Sequence, residues 1–172
     1  MTRIKIGRNP RFMSVEIDNH PGFHIRRLQQ IAVAVFLEET QAMGITPVQY
    51  AALYAVGREP GIDQRTLART IGFDTSTIGS VIDRLEARGL MQRNAHPDDR
   101  RVRLLTITAE GEQLLQQVEP GMLRAQERML EPLAPEQRGV FMDMLHTLVE
   151  GNNALSRAPS ESAESRARRT AE

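Results

Sequence analysis

No cysteine occurs anywhere in the chain, which excludes disulfides, thiol redox sensing and cysteine-ligated zinc. Tryptophan is also absent and aromatic residues make up only 4%. A core must therefore be assembled from Leu, Ile, Val, Ala and Met, the residues helix bundles commonly use. The formal net charge is +0. That balance argues against indiscriminate binding to polyanions but leaves room for a local basic surface, because distribution rather than total decides it. No apolar run is long enough to cross a bilayer and no signal peptide is visible, so a cytoplasmic protein without a membrane partner is expected. A GxSxG elbow, an HExxH pair, a phosphate-binding glycine loop and a His/Glu cluster at ligand spacing are all missing. Neither an enzyme nor a metal site nor a cofactor is expected on that ground.

What is present is an ordinary globular composition, 40% hydrophobic and 26% charged over 172 residues. That length suits one domain, or a small module with a dimerisation element. Residues 1–20 form a basic arm with Arg3, Lys5, Arg8 and Arg11 (no acid among them as far as Phe12), more simply a solvated terminus than a DNA-contacting one. Helical spacing starts at Pro21, runs through Phe23, Leu28, Ile31, Val35 and Ala42, and ends at Gly44, so residues 21–45 read as one long helix. Thr46-Pro47 caps a next helix whose Tyr50, Leu53, Tyr54 and Val56 are expected to face inward, with a break over Gly57 to Gly61. Thr108 caps another helix, in which Pro120-Gly121 is expected to kink rather than end the apolar stripe. A last helix, Glu136 to Leu155, carries Val140, Phe141, Met144, Leu145, Leu148 and Val149. Residues 156–172 turn to Ser, Ala, Arg and Glu and read as a disordered tail.

The centre of the chain is the most specific part. A short helix pattern from Gln64 to Ile71 stops at Gly72, and a second opens at Asp74, its N-cap unless Thr75 takes that place, and closes at Gly89. Two alternating segments follow, joined by His96-Pro97-Asp98-Asp99-Arg100-Arg101. That order predicts a mainly α fold with a small β-hairpin wing: a winged helix-turn-helix over residues 46–108, which places its second helix in a major groove of double-stranded DNA. Ile78, Val81, Ile82 and Leu85 point to the core by spacing. Thr75, Ser76, Thr77, Gly79 and Ser80 are left near the exposed start of that helix, with Arg84 further along. Small hydroxyl side chains there can contact phosphates or base edges and pack on a thymine methyl, though one of them also serves as a cap. Arg84 is equally readable as a phosphate contact or as an ion-pair partner of Asp83. Arg100 or Arg101 at a hairpin tip can enter a narrow minor groove, aimed by Asp98 or Asp99. The long outer helices, over residues 21–45 and 109–155, cannot bury their apolar sides on so small a module, so a two-fold homodimer on a palindromic operator is expected.

Asp83-Arg84-Leu85-Glu86, Arg88-Gly89-Leu90, Asp99-Arg100-Arg101 through Leu105-Thr106, then Thr108 and Gly111, together resemble the multiple-antibiotic-resistance regulator (MarR) family over about Pro21 to Leu155. The resemblance implies a dimeric winged-helix transcription regulator, usually a repressor, released by a small aromatic carboxylate or phenolic effector. It implies groove contacts by Ser76, Thr77 and Ser80, backbone contacts by Gln64 and Arg65, and a minor-groove role for Arg100 or Arg101. Many relatives have a basic residue where Ser80 stands, which implies a different operator. Pockets in the family lie between the first, second and fifth helices, where this chain offers His24, Arg26, Arg27, Gln30, Gln49 and Tyr50. Pro21 to Leu28 is similar to regulators of aromatic-acid catabolism, and a carboxylate ligand would need a cation with a hydroxyl or imidazole opposite. Each of these residues taken singly has a plainer reading, as a solvated histidine or a surface arginine. The alternative function, a constitutive architectural DNA-binding protein without ligand control, would call for a far more basic chain.

Overall fold

The computed structural model describes residues 19–96 and 102–156. The basic arm as far as residue 18, the tail beyond Ser156 and the wing tip with Arg100 and Arg101 lie outside the described residues. Helix α1 spans Pro21–Glu39, α2 Pro47–Arg58, α3 Gln64–Thr70, α4 Thr75–Ala87, α5 Ala109–Leu130 and α6 Pro135–Gly151. Strands β1 (Ile62–Asp63), β2 (Met91–Ala95) and β3 (Arg103–Ile107) form one antiparallel sheet in the order β1-β3-β2. Met91 stands opposite Ile107 and Ala95 opposite Arg103, so β2 and β3 are the two arms of the hairpin. The His96 amide donates to the Val102 carbonyl at 3.1 Å and carries the ladder to the edge of the tip.

The core belongs almost entirely to the middle of the chain. Leu53, Val56, Leu67, Ile78, Ile82, Leu85, Met91 and Leu105 are all fully buried. The four apolar positions of α4 identified by spacing are among the buried residues, as expected of a helix seated on one face. Both α3 and α4 end the same way. Gly72 and Gly89 sit at φ 71° and 70°, a left-handed conformation that glycine adopts without steric cost. Beyond each glycine the next amide reaches back into the last turn (Phe73 to the Ala68 carbonyl, Leu90 to that of Leu85), closing it.

Several boundaries and faces differ from the sequence reading. The first helix ends at Glu39 rather than Gly44, because the buried Thr40 hydroxyl bonds the Phe36 carbonyl at 2.7 Å and a 3-10 turn, Gln41–Met43, takes over. Phe36, not Ile31 or Ala42, is the buried residue of α1, and Ile31 is exposed. In α2 the buried face runs through Gln49, Ala52, Leu53 and Val56, spacing that turns Tyr54 outward and leaves Tyr50 half-buried. That helix also starts with an unanticipated reciprocal cap: the Thr46 hydroxyl accepts from the Gln49 amide, and the Gln49 side chain from the Thr46 amide. Helix α5 continues through Pro120. The last helix stops at Gly151, four residues short of the expected Leu155, and none of its residues is buried within this one chain.

Helices α1 and α5 pack along each other and are tied by a charge cluster. Glu39 accepts from Arg124 at 2.9 Å and Arg128 at 2.7 Å, and Glu38 from Arg128 at 3.0 Å. The Arg128 and Arg124 hydrogen bonds hold the Glu39 carboxyl below its ordinary pKa. No helix among the described residues is long and apolar enough to cross a membrane.

Candidate nucleic-acid interface

Asp63 opens α3, accepting from the Arg65 and Thr66 amides at 2.9 and 3.1 Å and from the Thr66 hydroxyl at 2.6 Å. Partial burial raises the pKa of this carboxyl, but the Thr66 and Arg65 donors outweigh it and the net shift is downward. After the glycine turn, Asp74 caps α4. It accepts from the Ser76 hydroxyl at 2.5 Å, the Thr77 amide at 2.8 Å and the Thr77 hydroxyl at 2.7 Å. Those donors, Ser76 first, hold its carboxyl far below the ordinary range. Asp74 therefore remains an anion at a helix start, where the exposed amides favour negative charge.

With Ile78, Val81, Ile82 and Leu85 committed to the core, the outward stripe of α4 consists of Ser76, Ser80 and Arg84, all exposed. Thr75 is exposed beside them and Thr77 is half-buried. Gln64 stands at the start of α3 and donates from its side-chain amide to the Thr75 carbonyl at 3.3 Å, so it braces the start of α4 as well as facing outward. Arg65, next to it, is exposed. The structure thus gathers Gln64, Arg65, Thr75, Ser76, Thr77 and Ser80 around the helix-turn-helix, with Arg84 at the far end of α4.

Two arginines not singled out as candidate site residues fix how this unit is held. Arg93 on β2 reaches back to α4, bonding Asp83 and Glu86, each at 2.5 Å, and the Gly79 carbonyl at 3.4 Å. Burial works against the Arg93 charge, yet the two carboxylates raise its pKa overall. Asp83 is consequently engaged by Arg93 rather than Arg84, and Arg84 makes no ion pair among the described residues. Arg88, at the end of α4, donates to the Gly44 and Met43 carbonyls at 2.9 and 3.3 Å, pinning α4 to the α1–α2 elbow. The acids Asp83 and Glu86, three apart on one helix face, were the available signal for Arg93; which strand residue would meet them was not readable from spacing.

The candidate effector residues are more dispersed. Tyr50 lies 5.8 Å from the Phe36 ring and stacks on Tyr54 at 6.1 Å. Burial, the Glu119 charge and Tyr54 raise its hydroxyl pKa. His24, Arg26 and Arg27 are exposed near the other end of α1, where the Arg27 guanidinium covers Phe23 at 5.7 Å and His24 meets the same ring edge-on at 5.8 Å. At about 1.5 Å per helical residue, Arg27 is roughly 14 Å along α1 from Phe36. One chain does not bring His24, Arg26 or Arg27 to Tyr50. A separate open groove of about 390 Å³ lies at the α1–α2 elbow, lined by Leu37, Glu38, Thr40, Gln41, Ile45 and Thr46, and includes none of the candidates.

Comparison with known proteins agrees with this geometry. A protein of Thauera aromatica, named as a transcriptional regulatory protein for the hcr operon, is 34% identical over 128 residues, covering 74% of this chain and 77% of that one. The PcaV transcriptional regulator of Streptomyces coelicolor, solved with its natural ligand, is 36% identical at a TM-score of 0.71, covering 80% of this chain and 96% of its own. The transcriptional repressor CouR bound to a 23-mer DNA duplex is 29% identical at a TM-score of 0.73, over 78% and 95% of the two chains. CouR of Rhodococcus jostii RHA1 bound to p-coumaroyl-CoA gives 25% and 0.67, over 78% and 95%. The family model described as MarR family matches residues 43–102, from the α1–α2 elbow to Val102, just before β3. With a helix-turn-helix, its hairpin and these relatives in agreement, the chain belongs to the MarR family and is a DNA-binding transcription regulator, not an enzyme.

Proposed function

We propose that this regulator acts in the cytoplasm as a homodimeric repressor on a palindromic operator and is released by a small aromatic acid, a phenol or a related thioester. The observation that carries the reading is the state of α6. Val140, Met144, Leu148 and Val149 are each more than half exposed, as is Ile25 on α1. Full burial of such a side chain is worth about 1.5–3 kcal/mol, so covering the exposed half of each gains roughly half of that, and a second copy with the same helices is the economical cover. Two α4 helices at fixed separation then meet successive turns of a duplex. In this reading Thr75, Ser76, Thr77 and Ser80 face the major groove, Gln64, Arg65 and Arg84 lie by the backbone, and Arg100 or Arg101 enters the minor groove.

The ligand reading rests on the aromatic cluster of Tyr50, Phe36 and Tyr54, on the guanidinium groups of Arg26 and Arg27 with the His24 imidazole beside them, and on the p-coumaroyl-CoA complex of CouR. Because Tyr50 and the cations are separated within one chain, dimer pairing or helix movement has to assemble them. Release requires that the ligand prefer a dimer whose α4 helices are wrongly spaced; equal affinity for both states would shift nothing. The test is a mobility shift with the promoter fragment upstream of the protein's own gene, with and without p-coumarate or p-coumaroyl-CoA. Binding should be selective, weaken steeply with salt, and fall by about tenfold or more in the Arg100→Ala, Arg101→Ala double variant, a loss of about 1.4 kcal/mol or more. A monomer in sedimentation, or unchanged affinity in the double variant, overturns the corresponding part.

A further inference from the structure

Sequence alone leaves each serine and threonine of α4 able to donate or accept. The structure removes that ambiguity. A hydroxyl has one proton and two lone pairs. Ser76 donates its proton to one Asp74 oxygen at 2.5 Å, Thr77 donates its own to the other at 2.7 Å, and Ser80 donates to the Thr77 carbonyl at 2.9 Å. Gln64 commits one side-chain amide hydrogen to the Thr75 carbonyl at 3.3 Å. Bonds accepted by an ionised carboxylate are the strong kind, so Ser76 and Thr77 keep their protons pointed at Asp74. What Ser76 and Ser80, both exposed, hold out to a partner is lone pairs. Asp74, also exposed, adds oxygens that can only accept.

We propose that the first two turns of α4 read the operator as hydrogen-bond acceptors, selecting adenine and cytosine amino groups in the major groove through Ser76, Thr77 and Ser80. This rests on the reading of α4 as the groove helix and deepens it. Phosphate oxygens, guanine N7 and O6, and thymine O4 are themselves acceptors, so these hydroxyls have nothing to give them. The exocyclic amines of adenine and cytosine are the major-groove donors that remain. Contacts to phosphate or guanine then fall to the guanidinium groups nearby, Arg65 on α3 and Arg84 two helical turns beyond Ser76. This assigns the hydroxyls a narrower role than the sequence did, base edges rather than phosphates.

The full chain is used to select a duplex from a random-sequence pool. Within the selected site, adenines are replaced singly by purine and cytosines by pyrimidin-2-one, which delete the amino group, and guanines by 7-deazaguanine, which deletes an acceptor. Affinity is measured for the wild type, Ser76→Ala and Ser80→Ala, exposed substitutions that leave the Asp74 cap on the Thr77 amide. At least one amine deletion per half-site should weaken wild-type binding by about tenfold, and that penalty should shrink below about threefold in one alanine variant, the coupling expected of a direct contact. Amine deletions without effect, or a 7-deazaguanine penalty that either alanine variant abolishes, overturn the acceptor assignment while leaving α4 as the reading helix. A pool from which no sequence emerges overturns both.

Discussion

Gly111 stands in the first turn of α5, where the wing's second strand hands over to the outer helix. A methyl added there would lie 2.2 Å from the Leu90 carbonyl oxygen and 2.7 Å from the Ile107 side chain. Ordinary contact begins at 3.4 Å, so the backbone at Leu90 would have to retreat by 3.4 minus 2.2, or 1.2 Å. That oxygen is not free to move, because it accepts from the Thr108 amide at 3.2 Å, and Thr108 in turn caps α5 through the Gly111 amide. Overpacking of this kind costs about 1–3 kcal/mol and a disturbed cap about 1 more. Helix propensity returns at most about 1 kcal/mol to alanine. Gly111→Ala should therefore destabilise by about 1–3 kcal/mol, or roughly 2–12 °C in Tm at about 2–4 °C per kcal/mol. Gly57→Ala is the matched control: its methyl meets only Ile107 and Leu115 side-chain ends at 3.8 Å, and it should stabilise by about 0.5–1 kcal/mol. Urea unfolding at one fixed protein concentration measures both. A Gly111→Ala variant within about 0.5 kcal/mol of wild type would refute the close approach of β3, Leu90 and α5 on which the wing's position depends.

Arg93→Ala should cost about 1–2 kcal/mol, and a double-mutant cycle with Glu86→Ala should show coupling near 1 kcal/mol, since Arg93 is 22% and Glu86 38% exposed. The cycle with Asp83→Ala should give less, because Asp83 is 66% exposed and solvent screens it; equal coupling in both would show that exposure is not what sets the strength. Asp63 and Asp74 both have folded pKa values below the ordinary 3.8. Their contribution to stability is thus present above that value and is lost as pH falls below it. Stability followed from about pH 5 down to 2 should decline, and Asp63→Asn with Asp74→Asn should flatten the decline while keeping both caps; an unchanged slope would show that other carboxyls control it.

Where local chemistry sets an element, the sequence was a sufficient guide. Asp74 and Thr108 cap the helices they were expected to cap, and Gly72 and Gly89 end α3 and α4 where expected. The reciprocal cap of Thr46 and Gln49 was equally local, a threonine followed three residues later by glutamine, and could have been read. The two-residue strand β1 could not, because it exists only by pairing Ile62 and Asp63 with Leu105 and Leu104 of a distant segment. Tyr54 shows the same limit on a helix: apolar spacing admitted it to the inner face, but Gln49, Ala52, Leu53 and Val56 form a continuous buried stripe that leaves it outside.

The order of helices, the helix-turn-helix, the hairpin and the core face of α4 were legible in the chain alone. Those follow from caps, glycines and periodicity, interactions that span at most a few residues. Tertiary structure decided what meets what: Arg93 against Asp83 and Glu86, Arg88 against the elbow, and Tyr50 beside Phe36 but remote from the α1 cations. It also decided where the protons of Ser76, Thr77 and Ser80 point, since a hydroxyl takes the best acceptor within reach and reach is set only once the chain has folded.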